Sequence, residues 1–462
     1  MALIVCAACV LRLPGFRAGP HSDDYLQAAM LDGAFPAARS PLALYDFGGR
    51  DRAERARLLD FGWFAWWSAP ELKLAMFRPL SSALVALDHE IFRADPLLPH
   101  ALSALVLTAL LCGVAMLFVD LLPWPAPPLA LALFAADPSL SIPFSWLPNR
   151  CALTAAAFGV WGLLAYLRWR RRGGASLAVG AVSAFALGAL AGEYALALAG
   201  YVLAFECSAA DDTLHSRLRA AALALSPMLA VEAVGAWLGY GVRDSGLYVS
   251  PLMEPLRYAG ACIERIPVLA AELVGAVPAA WSTRAPTFAG QHALALTASI
   301  AALLSLAVMA RLLVTRANPE LRLLGLGSLV GLPLLAGAVP EARLLVPIAF
   351  GFDAVLAVAL LALLRTALGR GPAVGRARRG LAAALAIAIL GVHLGVKPAR
   401  ALAATQTLRA RITAHTRWAL DAEVDDRAAR GQQWFIIAAA DFTTTTILPF
   451  ARHFYGHPLP RA

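Results

Sequence analysis

Apolar runs of near-bilayer length recur along the whole chain, at about residues 100–121, 128–146, 151–168, 176–192, 194–206, 220–241, 291–311, 321–340, 344–364 and 380–396. A helix needs roughly 20 apolar residues to cross the hydrocarbon core, so this pattern constrains the fold more than any other feature. Met1–Leu13 is a further apolar run, short for a span, and reads as a first span lacking its cytoplasmic end. The expectation is an all-α polytopic membrane protein with about 11 transmembrane helices. Composition agrees, because 60% of the 462 residues are hydrophobic and only 15% are charged, too few charges to cover a water-soluble surface.

The formal net charge of +9 does not point to nucleic acid. Its basic residues sit in short clusters between apolar runs, at Arg168–Arg172, Arg217 with Arg219, Arg311 with Arg316 and Arg322, and Arg365–Arg379. All fall on one side of the expected topology, which the positive-inside rule makes cytoplasmic. The opposite face then carries a large first loop, residues 14–98, and a second outer segment, residues 242–290, which reads as interfacial or re-entrant. The protein is expected in the lipid bilayer of the bacterial inner membrane. Cys6, Cys9, Cys112, Cys151, Cys207 and Cys262 form no CxxC pair, which supports neither a disulfide framework nor a zinc site.

Within the first loop, Arg50–Arg57 reads as a solvated helix, and Phe61, Trp63, Phe64, Trp66 and Trp67 as an anchor in the headgroup zone. Pro79 suits the first position of a helix whose Leu80, Leu84, Leu87 and Ile91 share one face opposite Ser81, Ser82, Asp88 and His89. Residues 397–462 read as an extracytoplasmic C-terminal segment with a small α/β-like pattern. It comprises a polar helix from Thr405 to Arg430, one buried strand at Trp434–Ala440 and a short helix to Tyr455. One strand makes no stable sheet, so the segment is either an incomplete domain or lends its strand to the outer loops.

Ionisable groups close to membrane depth are costly unless they pair or line a cavity, so those on the outer face are functional candidates. They are Asp23 and Asp24, Arg78, Asp137, Arg150, Glu193, and the turn containing Glu341 and Arg343. Pairing among themselves, which would only pin the fold, is the alternative for each. His21 and His89 suit solvated loop positions, and Thr443–Thr446 a turn.

The order of these features resembles the GT-C superfamily of polytopic glycosyltransferases, in particular its protein mannosyltransferase-like branch. An acidic pair follows the first span, Arg78-Pro79-Leu80 precedes a helix ending Leu87-Asp88-His89-Glu90-Ile91-Phe92, and Pro99-His100 opens the next span. Phe134-Ala135-Ala136-Asp137-Pro138 through Pro148-Asn149-Arg150 resembles the phrase that closes that branch's third span. Ala191-Gly192-Glu193 and Arg343-Leu344-Leu345-Val346-Pro347 resemble two later ones. The resemblance covers roughly residues 1–396. The sequence departs from the pattern at Asp137 in place of His, Ile142 in place of Glu and Gly192 in place of Lys, and no tetratricopeptide repeat follows.

The resemblance implies transfer of a sugar from a polyprenyl-phosphate carrier to an acceptor on the extracytoplasmic side, whether glycan, lipid or protein. Asp24 or Asp23 would be the general base, with Asp24 placed first. Arg78, Arg150 and Arg343 would grip the departing phosphate, with Glu193 also at the substrate, and Asp137 with Asp24 would suit a divalent cation such as Mg or Mn. Two other readings compete: a lipid or sugar transporter or flippase, and an inactive relative that scaffolds a cell-envelope complex. A transporter would need ionisable groups at span centres, where most of these spans have none.

Overall fold

Backbone groups in hydrocarbon must bond within their own segment, and each apolar run accordingly becomes helix in the computed structural model. It describes residues 1–92, 97–208, 212–283, 286–316, 319–370, 375–427 and 442–459. The chain opens with α1 (Ala2–Leu11), and the first outer loop holds α2 (Asp23–Leu31), β1 (Asp46–Gly48), α3 (Arg52–Asp60), β2 (Lys73–Ala75) and α4 (Pro79–Phe92). The bundle continues through α5 (Leu97–Leu121), α6 (Ala126–Ala135), α7 (Ser141–Ser145), α8 (Arg150–Arg172), α9 (Ala175–Ala191), α10 (Ala199–Ser208) and α11 (Leu214–Trp237). The second outer segment supplies β3 (Gly241–Arg243), α12 (Pro255–Gly275) and α13 (Ala280–Thr283). After it come α14 (Gln291–Arg316), α15 (Pro319–Leu334), α16 (Val346–Ala367), α17 (Arg376–Leu390), α18 (Lys397–Asp421) and α19 (Phe442–Phe454).

Among the described residues, 6 helices are long and apolar enough to cross a membrane, or 7 if α6 and the segment Pro138–Ser145, bent by 50°, form one broken span. Eleven spans were expected. The other apolar runs are helical but shorter, because local breaks divide them: α1 and α9 are short apolar helices, and α10 is preceded by the 3₁₀ turn Glu193–Leu198. Close backbone approach holds α10 to α15. A Cβ on Gly200 would lie 2.5 Å from the Gly327 carbonyl oxygen, the small-residue contact by which helices associate in lipid. Beside it Tyr201 stacks on Phe350 at 4.7 Å, and Phe350 meets Phe134 edge-on at 6.1 Å.

The outer loops are joined. Strands β1, β2 and β3 form one antiparallel sheet in that order, with Leu74 opposite Val242, so the second outer segment completes a sheet begun in the first. The solvated helix expected at Arg50–Arg57 is α3, started by Asp51, whose side chain accepts from the Glu54 N–H at 2.8 Å. Glu54, however, is buried against Arg39.

Two surfaces of the first loop take definite form. Helix α4 turns Ser81, Ser82 and Asp88 inward, where they find partners in the bundle, while Leu87 is exposed and Leu80 packs partly buried against the core. The aromatic cluster divides. Trp66 and Trp67 remain 86% and 72% exposed, as an anchor requires, whereas Phe64 is buried and Trp63 donates to the Phe47 carbonyl at 2.8 Å.

The last expected span and the polar helix after it are one 46-residue helix, Arg376–Asp421, containing a π turn at Gly391–Val396. It passes position 397, where the C-terminal segment was expected to start, without a break. The expected strand at 434–440 lies outside the described residues. Helix α19 docks on the first loop, with Phe450 against Phe61 at 5.6 Å and Phe35 at 5.8 Å, and Phe454 against Tyr25 at 5.4 Å.

Candidate active site

Asp23 and Asp24 form the first turn of α2, where unpaired N–H groups and the helix dipole favour negative charge. Ser22 precedes them at φ +50°, a left-handed conformation that costs a non-glycine residue energy and is held by its surroundings. The Ser22 hydroxyl donates to Asp23 Oδ1 at 3.2 Å, and the His21 N–H donates to Asp24 Oδ2 at 2.9 Å. Both carboxyls are half-buried.

Their surroundings differ. Burial raises the pKa of Asp23, and Ser22, Arg343 and Arg78 work against that rise. Burial raises Asp24 well above the ordinary range. Its His21 hydrogen bond and Arg150 oppose this, whereas the neighbouring charges of Asp23 and Asp88 add to it. Asp23 therefore faces Arg343 and Arg78, and Asp24 faces the Asp88–Arg150 pair.

Arg78, just before α4, pairs with Glu193 at 2.8 Å and lies over the rings of Tyr45 at 5.1 Å and Tyr194 at 5.9 Å. Arg343 pairs with Glu341 at 2.7 Å and lies over Trp146 at 5.5 Å. The Trp146 indole N–H donates to the His21 carbonyl at 3.1 Å. One side chain thus supports Arg343 and fixes the peptide beside Asp24. Tyr248, held by the Tyr248–Ala338 bridge, and Glu232 from α11 complete the surroundings of Arg78.

Asp23, Asp24, Arg78, Glu193 and Arg343 therefore converge at one end of the bundle. Two sequence candidates are committed to protein partners instead. Arg150 is 2% exposed and committed to Asp88 and to the Pro99 carbonyl at 3.1 Å, so it clamps α8 to α4 rather than offering its fork to a ligand. Asp137 accepts from the Lys397 ammonium at 2.6 Å and from the Ser139 N–H at 2.9 Å. Its carboxylate is satisfied by protein, beside a cation, and is not brought to Asp24. Among the described residues no three His, Cys, Asp or Glu side chains are grouped to hold a metal ion. Of the two carboxylates that the resemblance assigns to a divalent cation, Asp137 is thus already taken by Lys397 and Ser139.

Sequence reasoning missed Trp146, Tyr45, Tyr194, Tyr248, Glu232 and the place of Asp88 beside Asp24. Only Asp88 carried a signal, as a carboxylate on a helix also bearing Ser81 and Ser82.

Comparison with solved structures bears on this arrangement. The crystal structure of the Archaeoglobus fulgidus oligosaccharyltransferase in the apo form superposes with a TM-score of 0.52 at 14% identity, over 98% of this chain and 64% of that one. The chain has a GT-C fold. It spans just under two-thirds of the length of that relative. ArnT from Cupriavidus metallidurans bound to undecaprenyl phosphate gives a TM-score of 0.47 at 16% identity, covering 99% of this chain and 85% of that chain. AglB from Archaeoglobus fulgidus in complex with an inhibitory peptide and a dolichol-phosphate gives 0.47 at 14% identity, covering 98% and 63%. No family model and no curated protein matches the sequence.

Proposed function

We propose that the protein is a membrane glycosyltransferase that moves a sugar from a polyprenyl-phosphate carrier to an acceptor hydroxyl on the extracytoplasmic face. The observation that carries this reading is the convergence of a half-buried Asp pair with Arg78 and Arg343 at one end of a GT-C bundle. Fold alone does not assign chemistry; the pairing of a base with guanidinium groups supplies the argument here.

In this reading the acceptor oxygen attacks the anomeric carbon and its proton passes to a carboxylate. The bond from the anomeric carbon to the phosphate oxygen breaks, and the phosphate leaves with the electron pair. Arg78 and Arg343 meet the charge that develops on that oxygen, because a guanidinium stays ionised and presents a fork matched to phosphate. Asp23 is the better base. It faces both arginines, which favour its ionised form, and burial makes that form more basic than a solvated aspartate. Asp24, beside Asp88 and bonded to His21, holds the turn. Trp66 and Trp67, both exposed, suit anchoring at the headgroups.

The test is transfer from polyprenyl-phosphate sugars by the protein reconstituted in lipid. Asp23→Asn should lower turnover by about 10²–10⁴-fold, the range for a lost general base, with normal accumulation in the membrane. Asp24→Asn should retain measurable turnover. Full activity in both variants would remove the pair from the chemistry.

A further inference from the structure

Arg12, Asp137, Asp353, His393 and Lys397 are ionisable side chains at most 2% exposed, and the proposed chemistry uses none of them. Three are well partnered. Lys397 donates to Asp137, and Arg12 donates to the carbonyls of Ala8 at 2.9 Å, Ala135 at 3.0 Å and Asp137 at 2.9 Å. The other two face each other, with His393 Nδ1 4.0 Å from Asp353 Oδ1. Among the described residues neither Asp353 oxygen has a hydrogen-bond partner, nor does His393 Nδ1.

His393 Nε2 lies 3.2 Å from the Val274 carbonyl oxygen. A carbonyl only accepts, so Nε2 carries a hydrogen. In a neutral imidazole Nδ1 is then a lone pair. An ionised Asp353 would oppose it with lone pairs alone, in an interior where an unsatisfied charge is costly. One proton between the two removes the conflict.

We propose that Asp353 and His393 form a buried proton-binding site, with one proton held on Asp353 opposite the His393 Nδ1 lone pair. The neutral arrangement is favoured over a carboxylate–imidazolium pair because the Phe352 ring, 6.1 Å from that of His393, and the surrounding helices exclude water. Lys397 and Asp137 are the charged groups that face both members. Arg12 faces Asp137 from α1, and Glu272 on α12 is itself paired with Arg400 at 2.6 Å. With the proton bound, Lys397 has one anionic partner. With it lost, Asp353 becomes a second and competes with Asp137. His393 sits in the π turn, a feature that recurs at functional sites in helices.

The test is infrared difference spectroscopy of the purified full-length protein in lipid at neutral pH, wild type against Asp353→Asn. The expected result is a protonated-carboxyl C=O band present in wild type and lost in the variant. An unchanged carboxyl region, with both proteins monodisperse, overturns the site. If Asp353→Asn does not fold, ¹⁵N-histidine NMR of the wild type, assigned against His393→Gln, decides instead. A proton on Nε2 and an unprotonated Nδ1 at neutral pH support the site, and titration near the ordinary value of about 6.5 overturns it. Neither measurement needs sugar transfer, so the proton site and the glycosyltransferase reading fail separately.

Discussion

Asp23 looks toward Arg343 and Arg78, while Asp24 gives one oxygen to the His21 N–H and has Asp88 for a neighbour. Adjacent acids are thereby separated in proton affinity, which is how one site assigns different roles to like groups. The acid side of the pH profile tests this. A base must be ionised, so kcat/KM should rise with pH through the raised pKa of Asp23, above the ordinary aspartate value of about 3.9. Arg343 lowers that pKa, so Arg343→Gln should move the acid limb to higher pH, by one unit for each ~1.4 kcal/mol of interaction lost. An unmoved limb would dissociate Arg343 from the base. The pair itself was legible in sequence, because two carboxylates beside a span are chemically conspicuous. Trp146 was not: a tryptophan near a span end reads as an anchor, and only the fold places it under Arg343 and against His21.

At the scale of elements, α19 is a cover for the first outer loop. Phe450 is fully buried where Phe35, Phe61 and Trp63 meet. Truncating a buried phenylalanine costs about 3–5 kcal/mol. Phe450→Ala should therefore speed amide hydrogen exchange across 442–454 by roughly 10²-fold or more, leaving the bundle helices protected. Uniform loss of protection would mean that α19 is part of the global fold rather than a docked element. The end of the helix was visible in the sequence, but its first turn, Thr443–Thr446, reads there as a turn and is helical here, and its docking surface was not visible. Phe61, Trp63 and Phe64 read as membrane-facing because aromatic residues suit both a headgroup layer and a packed contact. Likewise β2 and β3, three residues each, are too short to signal their pairing across the loops.

The whole bundle is fastened by Lys397 and Asp137, 260 residues apart and both buried. Removing one member strands the other, typically a loss of about 3–5 kcal/mol, whereas replacing both with apolar groups is often neutral. Lys397→Met should thus lower the thermal midpoint in detergent strongly, and the double variant Lys397→Met, Asp137→Leu should recover most of it. Additive losses would show that the two do not act as a pair. Helix positions and the fold class were legible because apolar runs and bilayer thickness are linked by geometry. The number of full spans was less so: Pro138 interrupts the run at 128–146 that hydropathy alone joins, and the runs on either side of the Glu193 turn, already separate in sequence, form helices short for a span. The same limit hid the inward charges: Asp353 and His393 look isolated in sequence and meet only when α16 packs on the long helix. That helix, of 46 residues, is about 69 Å long at 1.5 Å per residue, more than twice the hydrocarbon thickness of roughly 30 Å. It is therefore a mast stepped in the bilayer, pinned near its middle by Lys397. A lean of about 5° about that pin carries its tip roughly 3 Å sideways, and the side chains nearest that tip, His415 against His21 and Thr416 against Tyr25, would carry the lean to the turn that holds Asp23.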